Sequence, residues 1–181
     1  MDVMFRRKSL HLVMGLCILL LFSFTAMSPW WLVWITLFVH LMLLLTVIFK
    51  IKPFMKLIEA VEPISNFPGK GFLSFMAGAF FSLIIFPRPF ALAGIAILTF
   101  GDLFAGVAGR IFGKTKIYKR KTLEGTVTGT FIGWLAAVFF VPIPSAIFAA
   151  VFGMIVELED IPNLDNFVVP IIASAAAYLI Y

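Results

Sequence analysis

The chain has 181 residues, 62% of them hydrophobic and 13% charged, with a mean hydropathy of +1.11 and a formal net charge of +5. That composition excludes an ordinary soluble domain and predicts an integral membrane protein whose solvent is the bilayer. The single cysteine, Cys17, excludes an internal disulfide and a thiolate metal cluster built from this chain alone.

A spanning helix needs about 20 mostly apolar residues. In chain order the sequence predicts spans near 8–26, 29–49, 71–87, 89–109, 123–141, 143–158 and 166–181, with Pro29, Pro89 and Pro142 to Pro144 as punctuation. The expected fold class is all-α, a polytopic transmembrane bundle of about seven spans forming one domain over 1–181, since no linker or low-complexity tract divides it. A cleavable signal peptide over 6–26 is set aside because a second apolar span begins almost at once.

The first span opens on Arg6, Arg7 and Lys8, and Arg7, His11 and Gly15 share one helical face at i, i+4 and i+8. Arg6 reads as a charge anchor, whereas for Arg7, Lys8 and His11 the anchor and functional readings stand equal. Cys17 reads as core packing and His40, in the second span, as a hydrogen-bonded packing residue. Residues 53–62 are expected to form a short interfacial helix with Phe54, Ile58 and Val61 facing lipid. The third span then starts at Gly69-Lys70-Gly71.

The fourth span ends as GDLFAGVAGRIFGK, with Gly101, Ala105, Gly109 and Gly113 at i+4 spacing, and the fifth carries Gly125, Gly129 and Gly133 in the same register. Small residues so spaced predict face-to-face packing of these two helices. Asp102 lies about 12 Å of helix rise from Arg110, near the hydrocarbon boundary. A carboxylate there costs about 2.5–3.5 kcal/mol unless neutralised. Its partner is either a buried Lys or Arg, or a divalent cation carrying a substrate phosphate; the functional reading is favoured because acids and bases converge at that depth.

The following loop contains KRKTLEGT, where Thr122 is a suitable N-cap for the fifth helix. That helix start, beside Lys121 and Glu124 and without a side chain at Gly125, outlines a phosphate site. The seventh span begins at Asp165-Asn166. GRIFGKT is not a P-loop, since Ala108 stands where the first glycine belongs and no strand precedes it.

With the N-terminus placed in the cytosol, every Lys and Arg except Arg88 falls on the cytosolic side, a bias that orients short-looped membrane proteins strongly. The acids Glu59, Glu62, Asp102, Glu124, Glu157, Glu159, Asp160 and Asp165 gather there too, which the charge rule does not require.

At GDLFAGVAGRIFGK, KTLEGT and LDNFVVP, in that order, together with the basic start RRKSLH, the sequence resembles the CTP-dependent lipid kinases: dolichol kinase, phytol kinase and the yeast-type diacylglycerol kinase. The resemblance covers 6–15 and about 69–170, and the short chain is similar to the compact prokaryotic, archaeal members. It implies an integral membrane enzyme, in such an organism's cell membrane, that transfers the γ-phosphate of CTP to the hydroxyl of an isoprenoid alcohol (dolichol, polyprenol, phytol or geranylgeraniol type) or of diacylglycerol, with Mg²⁺ or another divalent cation required.

By motif match it carries over Arg7, Lys8, His11, Lys70, Asp102, Gly109, Lys114, Lys121, Thr122, Glu124, Gly125, Asp165 and Asn166. Within that set Asp102, Asp165, Lys121 and His11 are the expected catalytic group. Asp102 and Asp165 are expected to hold the metal or orient the alcohol, and Lys114 and Lys121 to neutralise the triphosphate.

Two rivals are weighed against this. CDP-lipid synthases share a related Gly-Asp and Lys-Thr-x-Glu-Gly block but close on a different C-terminal signature, where this chain has ELEDIPNLDNFVVP. A small transporter is disfavoured by the absence of an internal repeat and by the clustering of polar residues at one face. No nucleic-acid partner is expected, because the basic residues flank membrane spans; the expected partners are CTP, the lipid acceptor and the membrane.

Overall fold

A helix that is apolar on every side must be enclosed by others, and the stretch from Phe90 to Thr99 is buried at every position. It belongs to α4 (Arg88–Ile111), the axis around which the remaining elements are arranged in the computed structural model, which describes residues 3–53, 55–56, 69–119, 121–159 and 164–181. The others are α1 (Val3–Phe24), α2 (Trp30–Ile48), α3 (Lys70–Ile85), α5 (Leu123–Ala137), α6 (Ile143–Leu158) and α7 (Asp165–Leu179). Each expected span is met by one helix, displaced by a few residues at its ends.

By length and composition α1, α2 and α4 are each sufficient to cross a membrane, and α3, α6 and α7 are shorter apolar helices. The fold is an all-α membrane bundle with one addition that was not expected. Between α4 and α5, β1 (Lys116–Tyr118) pairs antiparallel with β2 (Lys121–Thr122), Lys116 opposite Thr122 and Tyr118 opposite Lys121, and Lys119 turns the hairpin at φ 46°. The interfacial helix expected over 53–62 falls largely outside the described residues.

The core has two halves divided by α4. One packs Ile18, Leu19 and Phe22 of α1, Leu32 of α2 and Phe75, Met76 and Ala79 of α3 against Ala91, Leu92, Ile95 and Leu98. The other packs Ala137, Ala146, Ala149, Ala150, Met154, Ala173 and Ala177 of α5 to α7 against Phe90, Ala93 and Ile97. The outer surface stays apolar: Trp31, Trp34, Phe38 and Phe49 on or beside α2, and Phe148, Phe152 and Ile155 on α6, are all exposed. In water this would be an aggregation surface; facing acyl chains it needs no cover. Cys17, expected in the packing, is on this outer surface.

Helix α1 runs antiparallel to α4. At one end Arg88 donates to the carbonyls of Thr25 (2.7 Å) and Met27 (3.0 Å) and stands 5.8 Å over the Phe22 ring, so it caps the C-terminus of α1 with a cation. Midway, Gly15 passes the Thr99 side chain so closely that any Cβ would collide with it. Thr99 sits in a π-turn, Ile97–Gly101, and its hydroxyl donates to the Ile95 carbonyl at 2.7 Å. Such turns insert one residue into a helix and rotate everything after it. Here the first residue after the turn is Asp102.

The small-residue faces of α4 and α5 meet as expected. A Cβ on Gly129 would lie 2.7 Å from the Ala105 Cβ, the Gly101 carbonyl oxygen and Met154 Cε alike, and one on Gly125 would lie 2.6 Å from the Ala105 carbonyl oxygen. Gly129→Ala therefore overpacks a contact made of two backbones, and a loss of about 1–3 kcal/mol is expected. It should appear as a lower thermal midpoint of the detergent-purified protein, and a midpoint equal to wild type would contradict this packing.

Candidate functional site

The charged side chains of the helix ends converge at the end of the bundle where α1 begins, α4 ends and α7 begins. Helix α1 contributes Lys8, which is buried and donates both to Asp102 Oδ1 (2.7 Å) and to the Asp102 main-chain carbonyl (2.6 Å). Gly106 makes room for it, since a Cβ there would come within 2.6 Å of Lys8 Nζ. The structure pairs Asp102 with a buried lysine, one of the two partners left open for it. Lys8 takes one carboxylate oxygen, and no described residue is hydrogen-bonded to the other.

One turn further along α1, His11 is buried and stacked on Phe75, their ring centroids 5.3 Å apart. Its Nε2 has no hydrogen-bond partner among the described residues. Arg7 lies within electrostatic reach of His11 and of Asp165. The face read from the spacing of Arg7, His11 and Gly15 thus points inward, towards α4 and the charged cluster.

The loop after α4 is folded back by reciprocal bonds to the start of α5. Thr115 N–H donates to both oxygens of Glu124 (3.1 and 3.2 Å) and its carbonyl accepts from Leu123 N–H at 2.8 Å. Thr122, in an extended conformation, accepts from Gly125 N–H at 3.3 Å and is the N-cap expected of it. Gly109 and Gly113 lie against the Thr122 side chain, where a Cβ would come within 2.9 Å of it from either residue. Glu124 is therefore used to hold the loop, and Gly109 to admit the cap.

Strand β2 then delivers Lys121 into an ion pair with Glu157, in the last turn of α6. Glu157 is 1% exposed and its Oε2 has no hydrogen-bond partner among the described residues. Lys121 also lies within electrostatic reach of Asp102 and Asp165. On the outer side of the hairpin, Lys119 donates to the Glu159 carbonyl at 2.8 Å and so ties it to the end of α6.

Helix α7 closes the site with Asp165, whose Oδ1 accepts from Asn166 N–H at 2.8 Å, and with Asn166, 2% exposed, whose Nδ2 has no partner among the described residues. Pro170 lacks the N–H that the Asn166 carbonyl requires in a regular helix. Gly78 of α3 approaches that freed carbonyl so closely that a Cβ would lie 2.6 Å from it.

Lys8, His11, Asp102, Lys121, Asp165 and Asn166 are thus brought to one end of the bundle, with Arg7 beside them. Lys70 and Lys114 are exposed. Glu157 was not among the expected site residues. The signal for it is an acid in the last turn of an otherwise apolar helix, obscured by its neighbours Glu159 and Asp160 in ELED.

For a divalent cation, the expected donors would be the hard oxygens of Asp102 and Asp165. Among the described residues no three or more His, Cys, Asp and Glu side chains are grouped as a metal cage. Mg²⁺ commonly takes one or two carboxylates and completes its shell with water and substrate phosphates. The donor set, with one Asp102 oxygen left open, fits a metal that arrives with a polyphosphate.

The chain is similar to the CTP-dependent diacylglycerol kinase 1 of Schizosaccharomyces pombe, 31% identical over 130 residues, which are 61% of this chain and 60% of that protein. It therefore spans less than two thirds of that relative's length. No protein-family profile matches the chain, and no solved structure matches it.

Proposed function

We propose that this protein is a CTP-dependent lipid kinase, transferring the γ-phosphate of CTP to the hydroxyl of a membrane lipid at the cytosolic face. The observation that carries the reading is the buried Lys8–Asp102 pair beside the Lys121–Glu157 pair, at the capped N-terminus of α5. Burying two lysines and two acids in the end of a lipid-embedded bundle is costly, and apolar residues would pack there at least as stably. The similarity to a CTP-dependent diacylglycerol kinase supports the donor and the lipid class of acceptor. For the acceptor itself it favours diacylglycerol, whereas the sequence motifs are shared by kinases of isoprenoid alcohols.

Phosphoryl transfer asks the protein mainly to position reactants and to neutralise charge. Lys8 and Lys121 supply fixed cations, and the first amides of α5 supply donors aligned with the positive end of a helix dipole. Asp102 and Asp165 would hold the divalent cation, whose role is to neutralise the polyphosphate oxygens. Arg7 and His11 line the site from α1. The nucleotide enters from water, and the lipid hydroxyl comes from the interface at the same depth, so neither substrate has to cross the bilayer.

The test is label transfer by the purified protein with Mg²⁺ and either γ- or α-labelled CTP, offering diacylglycerol, geranylgeraniol and dolichol separately. Lipid labelled from the γ-position is expected and names the acceptor. Label transferred from the α-position to phosphatidate would instead make the protein a CDP-lipid synthase, and no transfer with either label would remove both enzymatic readings.

A further inference from the structure

Glu157 is the charged group at this site that the kinase reading leaves without a task. Its carboxylate is buried in the last turn of α6, one oxygen is held by Lys121, and the other, Oε2, is buried with no partner among the described residues. An unsatisfied buried carboxylate oxygen is expensive in any protein, by about 1–3 kcal/mol or more. Buried as it is, bulk water does not relieve it. Such an atom is retained where a ligand group comes to meet it.

A carboxylate oxygen can be met by a cation or by a hydrogen-bond donor; with the divalent cation assigned to Asp102 and Asp165, a donor is the partner left for Oε2. Triphosphate oxygens at neutral pH are acceptors and would be repelled. A lipid hydroxyl is a donor. The outer face of α6 carries exposed Phe148, Phe152 and Ile155, so an acyl or prenyl chain can lie along that face and bring its hydroxyl round the end of the helix to Glu157, which faces inward from the last turn.

Asp102, paired with Lys8, is already given to the divalent cation in the proposed reaction, which leaves Glu157 as the acid free to receive the proton. Lys121, which holds Glu157, also stands within electrostatic reach of Asp102. The acceptor oxygen and the γ-phosphorus would therefore meet between a proton acceptor and a cation.

We infer that Glu157 is the general base of the proposed kinase reaction, its Oε2 accepting the hydrogen bond and then the proton of the lipid hydroxyl. The inference rests on the kinase reading. In the step, the hydroxyl proton passes to Glu157 Oε2 as the hydroxyl oxygen bonds to the γ-phosphorus. The bond from that phosphorus to the β,γ-bridging oxygen breaks, and CDP leaves with its electron pair. The proton is released to cytosolic water when the products depart, so the balance is lipid alcohol plus CTP giving lipid phosphate, CDP and one proton. Lys121, paired to the other carboxylate oxygen, keeps Oε2 aimed at the acceptor.

Glu157→Gln preserves the side-chain volume and an oxygen for Lys121 while removing the proton acceptor. In purified protein with saturating acceptor, kcat is expected to fall about 10²–10⁴-fold, with the KM for CTP, and the Kd of CTP measured without acceptor, within about threefold of wild type by the same reasoning. A variant whose kcat stays within about threefold of wild type overturns the inference. So does one in which the KM for CTP rises while kcat holds, because Glu157 would then serve only to place Lys121.

Should Glu157→Gln fail to insert, Glu157→Asp, which withdraws the carboxylate by one methylene, is expected to lower kcat by about tenfold or more at unchanged KM for CTP; an unchanged kcat would again overturn it. Wild-type protein that transfers no γ-label to any lipid alcohol would defeat the kinase reading itself, an outcome distinct from an active wild type with an equally active Glu157→Gln.

Discussion

Replacing Asp102 with asparagine is expected to abolish transfer from CTP while leaving the protein inserted and folded. Asparagine has the same shape and keeps a carbonyl oxygen for Lys8 Nζ, and the lysine retains its second bond, to the main-chain carbonyl of residue 102. What is lost is the negative charge that would hold a divalent cation against the triphosphate and fix Lys8 in place. Removing one preorganised electrostatic group of this kind costs about 10²–10³-fold in kcat. Loss of the metal site would take the effect beyond that range.

The expected signature is activity down by at least 10²-fold together with normal yield, normal elution in detergent and a modest drop in thermal midpoint. Full activity in Asp102→Asn membranes would remove the central assignment. A variant that neither inserts nor purifies would instead mark the pair as structural.

The parts of the molecule that were legible in the sequence are those governed by hydropathy and by local chemistry. Seven apolar runs became helices, because lipid leaves the backbone no other way to satisfy its hydrogen bonds. Thr122 became an N-cap and the Gly125-Gly129-Gly133 face met α4, since both depend only on residues within a few turns. The Lys8–Asp102 pair joins residues 94 apart, so its geometry was open even though each residue had been singled out.

The rest failed for identifiable reasons. Cys17 was assigned to the core because it sits among apolar residues. In a bilayer, however, apolar residues line the outside as well, so hydrophobicity no longer marks the interior. The hairpin Lys116–Thr122 is too short and too basic to show strand alternation. The π-turn at Ile97–Gly101 has no composition of its own, yet it decides where Asp102 points. Glu157 stands in the sequence only as one of several acids gathered on the cytosolic side, and only its burial separates it from Glu159, which is exposed.

A second large effect is expected at Lys8, and it distinguishes a pair kept for function from one kept for stability. Lys8→Met leaves Asp102 buried without its hydrogen-bonded counter-ion, a situation that costs about 3–5 kcal/mol, and the single variant should be poorly stable and inactive. Adding Asp102→Leu removes the stranded charge. An apolar pair of similar volume in a buried position is commonly neutral or stabilising, so the double variant should recover the thermal midpoint of wild type, compared at one scan rate and in one detergent because membrane proteins often unfold irreversibly.

Catalysis should not recover with it, since neither the cation nor the carboxylate is restored. Stability and activity would then part company in the same cycle: strong coupling between residues 8 and 102 in the midpoint, and none in kcat beyond the floor set by either single change. If the double variant were both stable and active, the Lys8–Asp102 pair would be packing alone, and the search for the phosphate-binding cations would move to Arg7 and Lys121. If it were unstable, the charges would be serving the fold through contacts that an apolar pair does not reproduce. The separation of the two readouts is the expected result, because the room that Gly106 leaves for the side chain of residue 8 would also take a methionine, which keeps the packing and loses the charge.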